Sequence, residues 1–203
     1  MLRHNYNGYF LLENVSFRES LINNNGSWNI KNLNEHVFDD FLAKALINYF
    51  KIEEINSCVD FGCGPGKYVE YFNANGLKTI GYDGNPYTKE MTNGICDIID
   101  LSIPFKLKKK FDCVLSLEVG EHIPKKFQEI FINNLIEHTN KLIIISWAIP
   151  GQSGYGHINN QTNEYIINIF IKKGFKEQIY MDNIIRLTEY NTWFKNTIMI
   201  FKK

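Results

Sequence analysis

The sequence predicts an α/β fold in which helices cover both faces of a mostly parallel sheet. Two observations carry this prediction. Short apolar runs of strand length alternate with segments of helical periodicity, and the last two apolar runs have no clear helix of crossover length between them. Strands joined through helices run parallel, whereas a terminal pair without a crossover can only be antiparallel. The 203 residues suit one core with a short appendage.

The chain is predicted to begin with an arm and to continue as a single domain. Residues 1–32 are rich in Asn, Tyr and Gly without a sustained period, and residues 23–26 read Asn-Asn-Asn-Gly, a strong turn signal. We interpret residues 1–32 as an N-terminal arm or lid and residues 33–203 as the domain. Apolar residues at three- and four-residue spacing predict the first helix over residues 33–50.

The remaining elements follow in alternation. Strands are predicted at residues 58–61, 78–82, 95–98, 111–117, 141–148, 175–181 and 193–201. Helices are predicted at residues 67–75, briefly near Tyr87, and at residues 125–138 and 162–173. No repeat or low-complexity linker divides them.

Composition excludes several classes of function. The 22 basic and 22 acidic residues give a net charge of zero, which argues against a large basic face and against nucleic acid as a partner. No stretch of about 18 apolar residues exists, so no membrane span is predicted. The N-terminus lacks the apolar centre of a signal peptide, and we expect a cytoplasmic protein. The four scattered cysteines indicate reduced, buried thiols.

A glycine loop after the first sheet strand indicates a nucleotide cofactor. Residues 58–68 form an apolar strand that ends in Gly62-Cys63-Gly64-Pro65-Gly66 and opens a helix. The spacing is G-x-G-x-G, not G-x-G-x-x-G, and no Gly-Lys-Ser/Thr follows. Asp60 stands two positions before the first glycine, where a carboxylate would repel a pyrophosphate but suit a ligand that carries an ammonium group.

These motifs resemble those of the class I S-adenosylmethionine-dependent methyltransferases, and the resemblance covers roughly residues 55–203. It implies a Rossmann-like seven-stranded sheet of order 3-2-1-4-5-7-6, with the last strand antiparallel. It also implies that Asp83 binds the ribose hydroxyls and that Asp97 accepts from the adenine amino group. The full cofactor-binding set that it implies is Asp60, Gly62, Cys63, Gly64, Gly66, Asp83, Asp97, Ile98 and Glu118. The alternative for a single Asp at a strand end is a turn or a helix cap.

A cluster of acids and histidines marks the predicted reaction centre. Glu118, Glu121 and His122 follow the fourth strand at i, i+3 and i+4, so a helical turn would project all three to one side. The loop after the neighbouring fifth strand emerges at the same edge and brings His157. Two carboxylates and two imidazoles suit a divalent cation such as Mg or Mn.

This E-x-x-E-H segment with its distant His resembles the metal site of the small-RNA 3'-terminal 2'-O-methyltransferases, and the ubiquinone-biosynthesis O-methyltransferases carry a similar segment. The resemblance implies that Glu118, Glu121, His122 and His157 hold the metal. A second interpretation needs no metal: Glu118 lines the cofactor pocket, and His122 is a general base or a helix-start cap. The catalytic candidates are His122, His157 and Glu118. His4, His36 and His138 do not belong to such a cluster and are interpreted as surface or helix residues.

The acceptor is expected to be a small molecule or a glycan. The arm, with Phe17, Arg18 and Trp28, and the loop 147–161 combine rings and amides, which suit a sugar. The leading hypothesis is O-methylation of a sugar hydroxyl on a nucleotide-sugar or glycan. The alternatives are RNA 2'-O-methylation, methylation of a phenol- or quinone-type small molecule, and a noncatalytic cofactor-binding subunit.

Overall fold

Seven strands form one mixed sheet in the computed structural model, which describes residues 21–31, 36–188 and 193–203. The strand order is β3-β2-β1-β4-β5-β7-β6. The first five strands are parallel, and β7 runs antiparallel to both β5 and β6, as the sequence predicts. The strands are β1 (Ser57–Phe61), β2 (Lys78–Asp83), β3 (Cys96–Ile98), β4 (Phe111–Ser116), β5 (Thr139–Ile145), β6 (Lys176–Glu177) and β7 (Met199–Lys202).

Helices pack on both faces of this sheet and divide the core in two. The described helices are α1 (Asp40–Ile52), α2 (Lys67–Ala74), α3 (Thr88–Met91), α4 (Gln128–Glu137), α5 (Asn163–Lys172), α6 (Ile179–Thr188) and α7 (Phe194–Thr197). Because side chains alternate along a strand, Leu142 and Ile144 face the core under α1 and α2, whereas Ile143 and Ile145 face the core under α4 and α5. The carboxyl ends of the parallel strands are therefore held between two packed layers.

The first helix begins later than its apolar pattern predicts. Residues 36–39 are not helical, Leu33 falls outside the described residues, and α1 starts at Asp40. Asp39 is the cap: its Oδ1 accepts a hydrogen bond from the backbone N–H of Leu42 at 2.9 Å. The prediction of a helix from residue 33 is thus wrong for residues 36–39, and this segment is free to approach the glycine loop.

The end of the chain contains a helix where the sequence suggests a strand. The predicted strand 175–181 shrinks to the two residues of β6, and α6 follows directly. Ile179 and Tyr180 favour a strand locally, but Ile185 is buried against the layer that contains α1. Tertiary packing therefore decides the conformation. The expectation that no helix lies between the last two strands is wrong, because α6 and α7 lie between β6 and β7, but these two strands still pair antiparallel.

Other boundaries differ by a few residues. A short 3₁₀ turn, Lys125–Phe127, precedes α4, and β5 runs from Thr139 to Ile145 instead of over residues 141–148. No helix in the described part of the chain is long and apolar enough to cross a membrane.

Candidate active site

A cavity of about 370 Å³ lies at the carboxyl ends of the parallel strands. Its wall combines the loops after β1, β2, β3 and β4 with the segment 25–28, the loop 152–157 and the start of α7. Sequence-predicted site residues on this wall are Asp60, Gly62, Cys63, Gly64, Asp83, Glu118, His122 and His157. The topology thus brings together residues that are separated by nearly 100 positions in the chain.

The glycine loop is fixed at this edge by contacts that leave no space for side chains. Gly62 has a φ of 85°, and a Cβ there would lie 2.2 Å from a methyl group of Val119. Gly64 has a φ of 50°, and its backbone N–H donates to Asp83 Oδ2 at 2.8 Å. Gly66 is the N-cap residue that precedes α2, and its backbone has a left-handed conformation. The loop therefore presents its backbone to the cavity.

Asp60 places a nearly buried carboxyl group under the loop. Its side chain is only 3% exposed, and burial raises its pKa well above the ordinary value, with Cys96 and Asp83 adding to the effect. Asp83, Asp100 and Glu118 also line the cavity, against one lysine, Lys67, among the described wall residues. A cationic ligand would lower the cost of keeping these carboxylates charged.

The structure separates the predicted adenine contacts from the cavity. Asp97 is exposed and pairs with Lys89 at 3.0 Å, and neither Asp97 nor Ile98 lies on the cavity wall. Asp100, Leu101 and Ser102, a few residues farther on, line the wall instead. The hydroxyl and the backbone N–H of Ser102 both donate to Asp100 Oδ1, at 2.7 and 2.8 Å. Although burial opposes it, these hydrogen bonds and one from Asn25 lower the pKa of Asp100.

Residues 21–31 of the predicted arm close one side of the cavity. Ile22 and Trp28 form an antiparallel bridge around the Asn-Gly turn, and Asn85 Nδ2 donates to Ile30 O at 2.8 Å. Trp28 lines the cavity, and its ring centroid lies 5.4 Å from that of His122 and 5.1 Å from that of His36. Phe17, Arg18 and His4 lie outside the described residues.

His122 and His157 meet at the cavity wall with Glu121 behind them. The ring centroids of the two histidines are 5.0 Å apart, and His157 Nε2 lies 3.9 Å from Glu121 Oε1. One donor atom from each of the three residues lies within 4.8 Å of the other two. Glu121 is fully buried, and neither of its carboxylate oxygens has a hydrogen-bond partner. Burial, followed by the charge of Glu118, raises the pKa of Glu121 well above its ordinary value.

Backbone carbonyls orient both imidazole rings. His122 Nδ1 lies 3.2 Å from Gly156 O, and His157 Nδ1 lies 3.4 Å from Gln152 O. Since a carbonyl only accepts, each Nδ1 carries a proton. Burial and the neighbouring His157 lower the pKa of His122 to about 4, so its ring is neutral at neutral pH.

Glu118 lies near this cluster but has other partners. Its carboxylate accepts from Gln152 Nε2 at 2.7 Å and from Thr197 Oγ1 at 3.3 Å, and its backbone has a φ of 52°. Its backbone N–H donates to Ser146 Oγ at 2.8 Å. Glu118 is therefore held on the cavity wall and is not one of the three grouped donors.

The sequence does not predict two groups of residues that line the cavity. His36 lies on the cavity wall beside Gly64, whereas the sequence suggests a helix or surface position. Trp193 and Phe194 reach the wall from the far end of the chain. His138, in contrast, is buried with its Nδ1 2.7 Å from Asn134 O, so it is a structural residue. No local motif marks His36, Trp193 or Phe194, because only the packing of α1 and α7 places them there.

Comparisons with known proteins agree with this fold. The family model described as "Methyltransferase domain" matches residues 30–176. No curated protein matches the sequence significantly.

Solved structures are similar to the chain at low sequence identity. The magnesium protoporphyrin IX methyltransferase from Synechocystis PCC 6803 with bound SAH is 17% identical, with a TM-score of 0.55 over 79% of this chain and 80% of that chain. A TehB-like SAM-dependent methyltransferase from Corynebacterium glutamicum ATCC 13032 is 17% identical, with a TM-score of 0.58 over 79% and 88%. The methyltransferase domain of bacterial CtHen1 is 14% identical, with a TM-score of 0.58 over 81% and 98%.

The family match spans the glycine loop, the reaction-centre segment and the loop that carries His157. The chain therefore belongs to the methyltransferase domain family and is an S-adenosylmethionine-dependent methyltransferase.

Proposed function

We propose that this methyltransferase acts on a hydroxyl group of a sugar, on a nucleotide-sugar or a glycan. One observation carries the proposal: Glu121, His122 and His157 form a compact donor group directly beside the cavity that the glycine loop borders. Methyl transfer to oxygen needs help at the hydroxyl, because a neutral hydroxyl is a poor nucleophile. Two imidazole rings and a carboxyl group can supply that help.

The cofactor is proposed to lie along the acidic half of the cavity. The backbone of Gly62, Cys63 and Gly64 would face it, and Asp60 suits the ammonium group of its methionine portion. Asp83, which holds the loop through Gly64 and lines the cavity, would accept hydrogen bonds from the ribose diol. The position of Asp100 and Ser102 favours them over Asp97 and Ile98 as neighbours of the adenine ring.

A divalent metal fits the donor group. Both histidines have an Nδ1 proton directed at a backbone carbonyl, the arrangement that commonly orients imidazole ligands. The two unpaired, buried oxygens of Glu121 lack the partner that a cation would provide. Two imidazoles and one carboxylate match sites for Zn or Fe(II), and Mn is a further candidate. Glu118 is close enough to Glu121 to affect its pKa but is already paired with Gln152 and Thr197.

The reaction would proceed as an in-line displacement. The acceptor oxygen forms a bond to the methyl carbon while the carbon–sulfur bond breaks, and the hydroxyl proton must leave. A metal, when bound, would make a coordinated hydroxyl easier to ionise. The chain itself orients the rings of His122 and His157 and packs Trp28 against His122, which limits the access of water to that ring. Without a metal, a neutral imidazole on the wall can take the proton.

A sugar suits the acceptor half of the cavity because its wall mixes ring faces with amide groups. Trp28 and Tyr155 lie with their ring centroids 5.8 Å apart, and Gln152 also lines the wall. Aromatic faces cover the C–H side of a sugar ring, whereas amides bond its hydroxyls. We further propose that residues 21–31 act as the lid of this site.

A methyl-transfer assay tests the proposal. Radiolabelled S-adenosylmethionine is incubated with nucleotide-sugars, short RNAs and phenols, each with added divalent metal or with EDTA. We expect transfer to at least one sugar, with loss of activity in EDTA that Mn²⁺ or another divalent metal restores. Methylation of RNA or of phenols without any sugar product would overturn the substrate assignment. Full activity in EDTA would overturn the proposal that a metal takes part, but not the substrate assignment.

A further inference from the structure

Asn159 is a buried side chain beside the reaction centre, two residues after His157. It is only 3% exposed. Its amide nitrogen lies within hydrogen-bond distance of three acceptors: Gly120 O at 3.3 Å, Ile123 O at 3.0 Å and Gln128 Oε1 at 3.2 Å. Its amide oxygen accepts from Gln161 Nε2 at 2.7 Å, which fixes which end of the amide faces the carbonyls. All polar atoms of this side chain are therefore paired.

The backbone of the same residue strengthens this link. The N–H groups of Ile158 and Asn159 both donate to Glu121 O at 2.9 Å, and Asn159 O accepts from Trp147 Nε1 at 2.7 Å. Asn159 thus joins the loop that carries His157 to the turn 120–123 that carries Glu121 and His122. The two parts of the donor group come from different loops, and their spacing depends on these hydrogen bonds of Asn159.

Two contacts of the donor group depend on these hydrogen bonds. His157 Nε2 lies 3.9 Å from Glu121 Oε1, and Gly156 O, three residues before Asn159, faces His122 Nδ1 at 3.2 Å. A shift of the loop against the turn would change both contacts at once. Buried hydrogen-bond networks of this kind hold one arrangement because each unpaired group would be costly.

We propose that Asn159 is the positioning residue that holds the His157 loop against the Glu121–His122 turn. Asn159 itself does not line the cavity and is not one of the three grouped donor residues, so it acts through the residues that it holds. The inference rests on the proposed function only in taking Glu121, His122 and His157 as the reaction centre.

The test compares Asn159→Asp with a matched control, Asn134→Asp. Asparagine 134 is 4% exposed, and its amide nitrogen also donates to two backbone carbonyls, Leu101 O at 3.1 Å and Ile103 O at 2.9 Å. Both substitutions replace a buried N–H donor with an oxygen that faces carbonyl oxygens. A general loss of buried hydrogen bonds would affect both variants equally. Only Asn159→Asp changes the link between the His157 loop and the turn 120–123.

Nuclear magnetic resonance of ¹⁵N-histidine-labelled protein gives a readout that needs neither acceptor nor metal. In the wild type we expect His157 and His122 to carry the proton on Nδ1. In Asn159→Asp we expect His122 to change to a mixture of tautomers, since its Nδ1 contact with Gly156 O is lost when the loop shifts against the turn. His138 is the internal reference, because Leu107 N–H donates to its Nε2 at 2.9 Å. An unchanged His122 tautomer in a folded Asn159→Asp protein would overturn the proposal.

Binding of Co²⁺ alone gives a second readout, followed by its absorption bands. We expect Asn159→Asp to weaken Co²⁺ binding about 10- to 100-fold, the usual effect of losing a group that orients a ligand, and Asn134→Asp to leave it unchanged. SAH affinity should stay within about twofold of the wild type. If wild-type protein binds no Co²⁺, the metal part of the proposed function fails, and the histidine tautomers still decide the role of Asn159.

A milder variant covers the case in which Asn159→Asp does not fold. Gln161→Leu removes only the donor that fixes the amide of Asn159. We expect the same change at His122, but smaller. No change at His122 in this folded variant, with Asn159→Asp unfolded, would overturn the proposal.

Discussion

The two halves of the cavity are built in different ways. The proposed cofactor half comes from one continuous stretch, residues 60–102, in which each wall segment follows a strand of the sheet. The proposed reaction half combines segments 25–28, 117–123, 152–157 and 193–194, which are distant in sequence. A continuous strand–loop pattern leaves a readable motif, whereas an assembly of separate loops depends on packing. Changes in the two halves should therefore affect different steps.

The largest effect on turnover is expected in the reaction half. His122→Ala and His157→Ala should each lower kcat about 100-fold or more, since each removes a group that we propose to act on the acceptor hydroxyl. SAH affinity, measured by calorimetry, should remain within about threefold. Wild-type turnover in both variants would show that the donor cluster takes no part in the reaction.

The cofactor half offers a paired comparison between two aspartates. Asp100→Ala should weaken SAH binding about tenfold, because its carboxylate lies on the cavity wall beside Ser102. Asp97→Ala should change it less than twofold, because its carboxylate pairs with Lys89 at the surface. The reverse result in the same calorimetric titrations would restore the adenine contact that the family pattern implies.

A smaller effect is expected where the two halves meet under the arm. Trp28→Ala should raise the KM of the acceptor about fivefold and change SAH affinity little, because Trp28 packs on His122 and Tyr155. Trp28→Phe keeps a ring face and serves as the control. Equal losses of acceptor and cofactor binding in Trp28→Ala would mean that the arm supports the whole cavity.

The smallest effect on activity is expected outside both halves, at Asp182. Burial raises its pKa from 3.8 to about 7, with Arg186 opposing and Glu177 adding to the shift. Because the unfolded chain releases this proton near pH 4, the unfolded state binds fewer protons than the folded state up to about pH 7, and stability falls with rising pH.

Asp182→Asn removes this ionisation and keeps an oxygen for the N–H of Ile200, which donates to Asp182 Oδ1 at 2.8 Å. In urea unfolding we expect the variant to match the wild type near pH 4 and to be more stable by about 2 kcal/mol near pH 8. Identical curves at both pH values would show that Asp182 is ionised in the folded protein.

Sequence patterns predict the strands of the sheet well because each strand is a local apolar run, and the crossover rule makes strands joined through helices parallel. The strand order itself is what the resemblance to class I methyltransferases implies. The order β3-β2-β1-β4-β5-β7-β6 and the antiparallel β7 are confirmed. The same patterns fail at α6, where an isoleucine-rich segment packs as a helix, and at residues 36–39, where Asp39 caps α1 two residues after Val37. At α6 a contact distant in sequence outweighs local propensity, whereas at residues 36–39 the local cap at Asp39 sets the start of the helix.

The sequence by itself determined the glycine loop, the acidic residues Asp60 and Asp83, and the membership of this chain among proteins of the methyltransferase fold. Only the tertiary structure decided that Asp100 replaces Asp97 on the cavity wall and that Glu118 stands apart from Glu121, His122 and His157. It also decided that Asn159 joins the two loops. The physical reason is that a motif specifies which groups are present, whereas burial and hydrogen bonds between distant loops specify which of them meet.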